Sequence, residues 1–259
     1  MSPDFVHLHT HSSYSPMWGT STLEALCEAV RSQGHDTFAL TDTNGLYGAI
    51  RFLEVAKRAG LKPILGTEII QAQHRAVLLA KSPEGYGNLC RLLSARHEDE
   101  PFEFIETIQR YRAGLVILSD DFQALTAWRA QSGEDLYVEL TPGADLQKAV
   151  SFSRQNCIPP VATTRAALLR PTDFEAHRLL RAIAENTTLS RLRPDCCCAP
   201  SHWLMPSSVM ARALPHVPEA LSNTRRIANQ CATAWDFQTT IFPSFREMSA
   251  DGAVATIRA

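Results

Sequence analysis

The chain has no apolar run long enough to cross a bilayer. Its first residues, Met1-Ser2-Pro3-Asp4, carry no basic stretch leading into an apolar one, so neither a signal peptide nor a membrane contact is expected and the default compartment is the cytoplasm. Excess positive charge is also missing. Lys and Arg number 25 against 27 Asp and Glu, a net charge of −2. A chain built mainly to grip nucleic acid would carry a basic face, so DNA is expected to be met only weakly or indirectly. There is no Cys-x-x-Cys pair, and the seven cysteines are odd in number and irregular in spacing, which excludes a secreted disulfide framework. Cys196, Cys197 and Cys198 are consecutive and cannot all face one tetrahedral zinc, so they read as reduced thiols in a loop. No internal repeat or low-complexity tract is present. What is left is ordinary: 259 residues, 45% hydrophobic and 20% charged, enough to bury a real core as one large domain or two small ones.

The first unusual stretch is Val6-His7-Leu8-His9-Thr10-His11-Ser12, with a histidine at every second position. On a strand, alternate side chains share a face. The spacing therefore predicts a strand with His7, His9 and His11 on one side and Leu8 in packing. Imidazoles converging at a strand end are a natural start for a metal site.

The chain then alternates strand and helix. Ser21-Thr22-Leu23-Glu24 has capping-box spacing, followed by Leu23, Leu26, Cys27 and Val30 at helical intervals up to Gly34. Predicted strands are Thr37–Asp42, Pro63–Glu68, Ala76–Ala80, Leu115–Leu118, Leu136–Leu140 and Pro160–Thr163. Predicted helices run from Leu46 to near Gly60, Tyr86–Ala95, Phe102–Arg112, Phe122–Ala130, Ala144–Gln155 and Asp173–Ala184. About seven βα units argue for an α/β barrel with a mostly parallel sheet. In such barrels functional residues sit at the C-terminal strand ends, where His9, His11, Asp42 and Glu68 all fall. After about Asn186 the rhythm stops. Prolines punctuate short segments, Glu219–Gln230 reads as one more helix, and Thr239–Ala259 reads as an extended exit segment.

Several motifs in order carry a resemblance. They are His7-Leu8-His9-Thr10-His11-Ser12-Ser13-Tyr14-Ser15, Ala39-Leu40-Thr41-Asp42, Asn44-Gly45-Leu46-Tyr47-Gly48-Ala49, Leu61-Lys62-Pro63-Ile64-Leu65-Gly66-Thr67-Glu68 and Leu79-Ala80-Lys81-Ser82-Pro83-Glu84-Gly85-Tyr86-Gly87-Asn88-Leu89. Leu136–Leu140, Pro160–Thr163, Asp173–His177, Pro218–Thr224 and Phe242-Pro243 follow the same pattern. Together they resemble the PHP (polymerase and histidinol phosphatase) domain, in the version that opens the bacterial DNA polymerase III alpha subunit and its error-prone relatives. The resemblance implies a distorted (β/α)7 TIM-like barrel over residues 1–185, with a mostly helical extension over 186–259. It also implies divalent metals at the C-terminal strand ends, which in active members hydrolyse phosphate esters by activating water and neutralising phosphate charge.

Carried across, the resemblance marks His9, His11, Asp42 and Glu68 as metal ligands, with His7 and His74 as further candidates. The remaining positions depart from the pattern. Thr43 follows Asp42 where a histidine is usual. Arg75 stands where the family histidine belongs, one residue after His74, and a one-residue slip on a strand reverses the face. Thr141-Pro142-Gly143 offers no histidine after Glu139-Leu140. Thr164-Arg165-Ala166-Ala167 supplies neither the acid nor the histidine of the final motif, and Arg165 would bring positive charge near the metals. His177 reads as a packing histidine, Asp120-Asp121 as an acid at a helix N-terminus, and Arg178, Arg181, Arg191 and Arg193 as a solvated strip.

Two readings follow. The first is a PHP module of a DNA polymerase III alpha-like protein, serving replication or error-prone repair synthesis. It would act as a structural or interaction domain with a degenerate site that binds one divalent ion (zinc, manganese or magnesium) or none. Its partners would be a polymerase core or other replisome subunits. The second is a stand-alone metal-dependent phosphoesterase or 3'-5' exonuclease acting on nucleotides or DNA ends. The chain ends at Ala259 without room for a polymerase palm and has no Asp-x-Asp pair, so it is not expected to polymerise DNA as given. Whether it is an enzyme stays open at this point.

Overall fold

A computed structural model of the chain describes residues 5–98, 101–143 and 145–237. The strands are β1 (Thr37–Leu40), β2 (Lys62–Gln71), β3 (His74–Ala80), β4 (Leu115–Ser119), β5 (Leu136–Leu140) and β6 (Pro160–Ala162). The helices are α1 (Leu23–Ser32), α2 (Ala49–Ala59), α3 (Pro83–His97), α4 (Phe104–Tyr111), α5 (Phe122–Gln131), α6 (Leu146–Asn156), α7 (Phe174–Ala184), α8 (Ser207–Ala213) and α9 (Pro218–Gln230). The α/β class read from the sequence holds. The predicted exit segment Thr239–Ala259 and the Phe242-Pro243 motif lie outside the described residues.

The helices begin and end where local chemistry directs. In α1, Leu23, Leu26, Cys27 and Val30 form one buried face, and burying each of its larger apolar side chains is worth roughly 1.5–3 kcal/mol. Its cap is Thr22, whose hydroxyl accepts from the Ala25 N–H, one residue later than the capping box predicts. Ser21 is committed elsewhere, its carbonyl accepting from the Ser13 N–H, and Glu24 pairs with Arg51 instead of closing the box. Gly60 ends α2 in the left-handed conformation, at φ 71°, which a glycine adopts at no steric cost.

The six strands form one sheet in sequence order. β1–β2, β4–β5 and β5–β6 pair in parallel, but β2–β3 and β3–β4 are antiparallel. The reason is local. β2 turns back through Ala72 and Gln73 as a hairpin, with no crossover helix to bring the chain round. β3 therefore starts at the rim where the other strands end, which registers His74 and Arg75 with Gln71 and Ile70 of β2 and lets the Arg75 carbonyl accept from the Ser119 hydroxyl.

The histidine-bearing segment closes the sheet. The Ala39 and Thr41 N–H groups on and after β1 donate to the carbonyls of His7 and Thr10, and His11 N–H donates to Ala166 while Ala166 N–H donates back to His9. The strand predicted here is an extended stave without a regular ladder. Alternation sorts the strand side chains. Val6, Leu8, Ala39, Ile64, Val77, Leu79, Val116, Leu118, Tyr137 and Val161 meet in the barrel interior. Phe38, Leu40 and Leu65 pack outward with α1 and α2, and Leu78, Ile117, Leu136 and Val138 with α3 to α6. The C-terminal helices share these cores. Ile227 and Ala228 of α9 join the interior cluster, Met210 of α8 joins the outer one, and Thr224 Oγ1 accepts from the Val6 N–H at 2.8 Å.

Candidate metal centre

The backbone bends at His9, and that bend decides which histidines meet. Val6 and Leu8 point inward, while His7 packs edge-on against Phe5 and His35. Without the bend His9 would follow His7. Instead it turns into the barrel mouth beside His11. Their Nε2 atoms lie 3.1 Å apart, with Glu68 Oε1 3.3 Å from His9 Nε2 and Oε2 3.6 Å from His11 Nε2. One donor atom each from His9, His11 and Glu68 fits within 4.8 Å, and all three residues are buried.

The other sequence-derived candidates are placed differently. His7 Nε2–H donates to Gln33 Oε1, and burial, with His35 nearby, lowers its pKa to about 3. Asp42 is buried, but its carboxylate is taken by the Ser12 N–H at 2.7 Å, the Ser12 hydroxyl at 2.9 Å and the Ser15 hydroxyl at 2.7 Å. Burial raises its pKa against those bonds. His74 lies on the outward face of β3, where Nδ1–H donates to Asp121 Oδ2 at 2.5 Å and the ring stacks on Phe104. Its neighbour Arg75 points inward, the alternation that a one-residue offset dictates.

Four groups that sequence reasoning did not count as ligands complete the site. Glu139, the inward-facing acid near the end of β5, accepts from His9 Nδ1–H at 2.6 Å and from the Thr163 hydroxyl at 2.6 Å. Arg165 Nη2 lies 3.0 Å from Glu139 Oε2 and 2.6 Å from Asp120 Oδ2. Arg75 Nη2 pairs with the other oxygen of Asp120, and Arg75 Nε lies 3.8 Å from Glu68 Oε1. The result is a closed ring in which His9, Glu139, Arg165, Asp120, Arg75 and Glu68 alternate in sign. Asp121 caps α5, so only one of the two consecutive acids does what their position suggested. Glu139 carried a signal, since an acid near the end of an apolar strand is the pattern that pointed to Glu68. Arg165 was expected near the metals and Arg75 stood at a family histidine position, but their meeting through Asp120 carried no signal, because it depends on β3 running backwards.

The ring fixes the charges. Burial acts against ionised Glu68, but His11, His9 and Arg75 hold its carboxyl below the ordinary range. Burial likewise opposes ionised Glu139, and Arg165, His9 and Arg75 outweigh it. Burial pushes His9 down, but Glu139 and Glu68 raise it overall. For His11 burial prevails and the pKa falls to about 3. His202 is also lowered to about 3, by burial and then by the charge of Arg165 and His9; its carbonyl accepts from the Ala167 and Leu168 N–H groups, just past Arg165.

The donor set fits one divalent ion. His9 and His11 would offer Nε2 and Glu68 a carboxylate oxygen. Glu139 would orient His9 from Nδ1, the usual arrangement behind a metal-bound imidazole. It does not fit a polynuclear cluster, since the next carboxylates, Glu139 and Asp120, already hold guanidinium groups.

Residues 7–140 match the PHP domain. The chain belongs to the PHP family. Among curated relatives of this PHP chain, DNA polymerase III subunit alpha of Buchnera aphidicola subsp. Acyrthosiphon pisum is 29% identical over 280 residues, covering 94% of the chain and 24% of that protein. The error-prone DNA polymerase of Symbiobacterium thermophilum is 29% identical over 286 residues, covering 93% and 26%. The chain thus spans about a quarter of the length of these relatives. Among solved structures, a Bacteroides vulgatus two-domain protein containing a predicted PHP-like metal-dependent phosphoesterase aligns at TM-score 0.48 and 13% identity, over 87% of this chain and 66% of that one. No helix among the described residues is long and apolar enough to cross a membrane.

Proposed function

We propose that this PHP chain serves a DNA polymerase III alpha-like protein as a structural and interaction module, in replication or error-prone repair synthesis. Its partners would be a polymerase core or other replisome subunits, with DNA met weakly or indirectly. The observation that carries this reading is the pair of guanidinium groups, Arg75 and Arg165, set among the acids that a polynuclear hydrolytic centre would need. Residues 1–185 form the barrel in this reading and 186–259 a mostly helical extension.

A second reading is supported by the convergence of His9, His11 and Glu68. It is a mononuclear phosphoesterase or 3'-5' exonuclease acting on nucleotides or DNA ends. A bound zinc, manganese or magnesium ion would supply a water of lowered pKa and neutralise phosphate charge. In this reading His9, His11 and Glu68 hold the ion and Glu139 keeps His9 in its tautomer, while Asp42 shapes the Ser12–Ser15 turn without touching the ion.

One assay separates the two. The purified chain is analysed for bound zinc, manganese and iron, and hydrolysis of a generic phosphodiester is followed with added manganese. The module reading expects no turnover above background. Turnover by the wild type that is lost in His9→Ala/His11→Ala would overturn it.

A further inference from the structure

We propose that Arg75 and Arg165, bridged by Asp120, are the resident cations of this barrel mouth, doing for Glu68 and Glu139 the charge-balancing work that further metal ions would otherwise do. The inference goes beyond the module reading and stands whether or not one ion occupies His9, His11 and Glu68.

Three observations carry it. The first is geometry. Each guanidinium spans two acids: Arg165 reaches Glu139 and Asp120, and Arg75 reaches Asp120 and Glu68. Asp120 is the common bridge, much as a carboxylate bridges two ions. Guanidinium suits this role because it is planar, permanently charged and able to contact two acceptors at once.

The second is what the chain accepts in order to place these groups. Arg165 sits at φ 49°, a left-handed conformation that ordinary side chains rarely adopt. The Nε–H groups of Arg75 and Arg165 are buried without a hydrogen bond, Arg75 Nε meeting Glu68 only as an ion pair at 3.8 Å. Backbone strain and these two unmade hydrogen bonds fit a site that needs the charge itself. The third is the anchoring of Arg165. Its neighbour Ala166 is bonded by its N–H to His9 and by its carbonyl to His11. The guanidinium is thereby fixed relative to the same two imidazoles that would hold an ion.

Exclusion follows. A second divalent ion would need oxygens of Glu139, Asp120 or Glu68, and would lie within a few ångströms of a guanidinium with no water layer to screen the repulsion. Removing one arginine should therefore do two things together: weaken the fold, and open a place for metal.

The test uses the full chain carrying Arg165→Met, with Arg75→Met as a second variant because Arg75 is the more exposed of the two, at 24% against 12%. Arg165→Lys is the charge-keeping control. Melting temperature is measured in EDTA and then with added Mn2+ or Zn2+, and bound metal is counted per chain. In EDTA, Arg165→Met or Arg75→Met should melt on the order of 10 °C below wild type, as expected when a buried ion pair loses one partner. With metal, each Met variant should recover part of that loss and hold about one more equivalent than wild type. Arg165→Lys should gain no metal. Met variants that melt with wild type in EDTA, or a wild type that binds as much metal as they do, would overturn the proposal. The phosphodiester assay on the wild type judges the module reading separately.

Discussion

Asp42→Ala should destabilise the fold by about 3–4 kcal/mol. The carboxylate is 2% exposed and accepts from the Ser12 N–H, the Ser12 hydroxyl and the Ser15 hydroxyl. Hydrogen bonds to a charged group contribute roughly 1.5–3 kcal/mol each, and donors left buried and unpaired cost about 1–3 kcal/mol each. Three such bonds would exceed the expected loss, but burying the carboxylate already works against them, as its raised pKa records. Relief of that burial offsets part of the loss. Asp42→Asn keeps one acceptor oxygen for the Ser12 N–H and the Ser15 hydroxyl at Oδ1 and should cost about 1 kcal/mol. Urea denaturation of both variants, with and without EDTA, is the check. The loss in Asp42→Ala should be the same in both buffers, and a thermal melt should show it as a fall of about 10 °C. A loss below about 1 kcal/mol would refute the hydrogen-bond argument. A loss that disappears in EDTA would make Asp42 a metal ligand.

Two further predictions concern other parts of the molecule. His7 titrates at about 3 in the fold against an ordinary 6.5, so the unfolded chain takes up the proton first. Stability should fall as pH drops below about 6.5, by about 1.4 kcal/mol per unit from this residue, and a urea series across that range should show a shallower slope for His7→Gln. His9, whose pKa is raised, works in the opposite sense and gives up stability as pH rises through its folded value. Gly19→Ala should also disrupt the mouth, because its added carbon would lie 1.9 Å from the Ser12 carbonyl oxygen. The expected loss is about 2 kcal/mol or more, read by thermal melting, and a melting temperature equal to that of the wild type would refute the close approach.

Much of the fold was legible because barrels repeat. The mainly apolar strands Thr37–Leu40, Leu115–Ser119 and Leu136–Leu140 are buried throughout, so short apolar runs located them. Helical periodicity located α1 through Leu23, Leu26 and Val30. The hairpin between β2 and β3 was harder to see. Ala72-Gln73 is not a favoured turn pair, yet that reversal brings Arg75 to the mouth.

The sequence by itself determined the α/β class and the family motifs, and it offered His9, His11, Asp42 and Glu68 together as candidate ligands, because strand-end position and the motifs carry that information. Only the tertiary structure decided that His7 leaves the group and that Asp42 serves a serine turn, since a bend and a tertiary contact set them; the outward face of His74 already followed from its one-residue offset on the strand. The charge ring is the clearest case. Glu68, Arg75, Asp120, Glu139 and Arg165 are scattered over about a hundred residues, and they form one electrostatic unit because the barrel brings five separate strand ends to one rim.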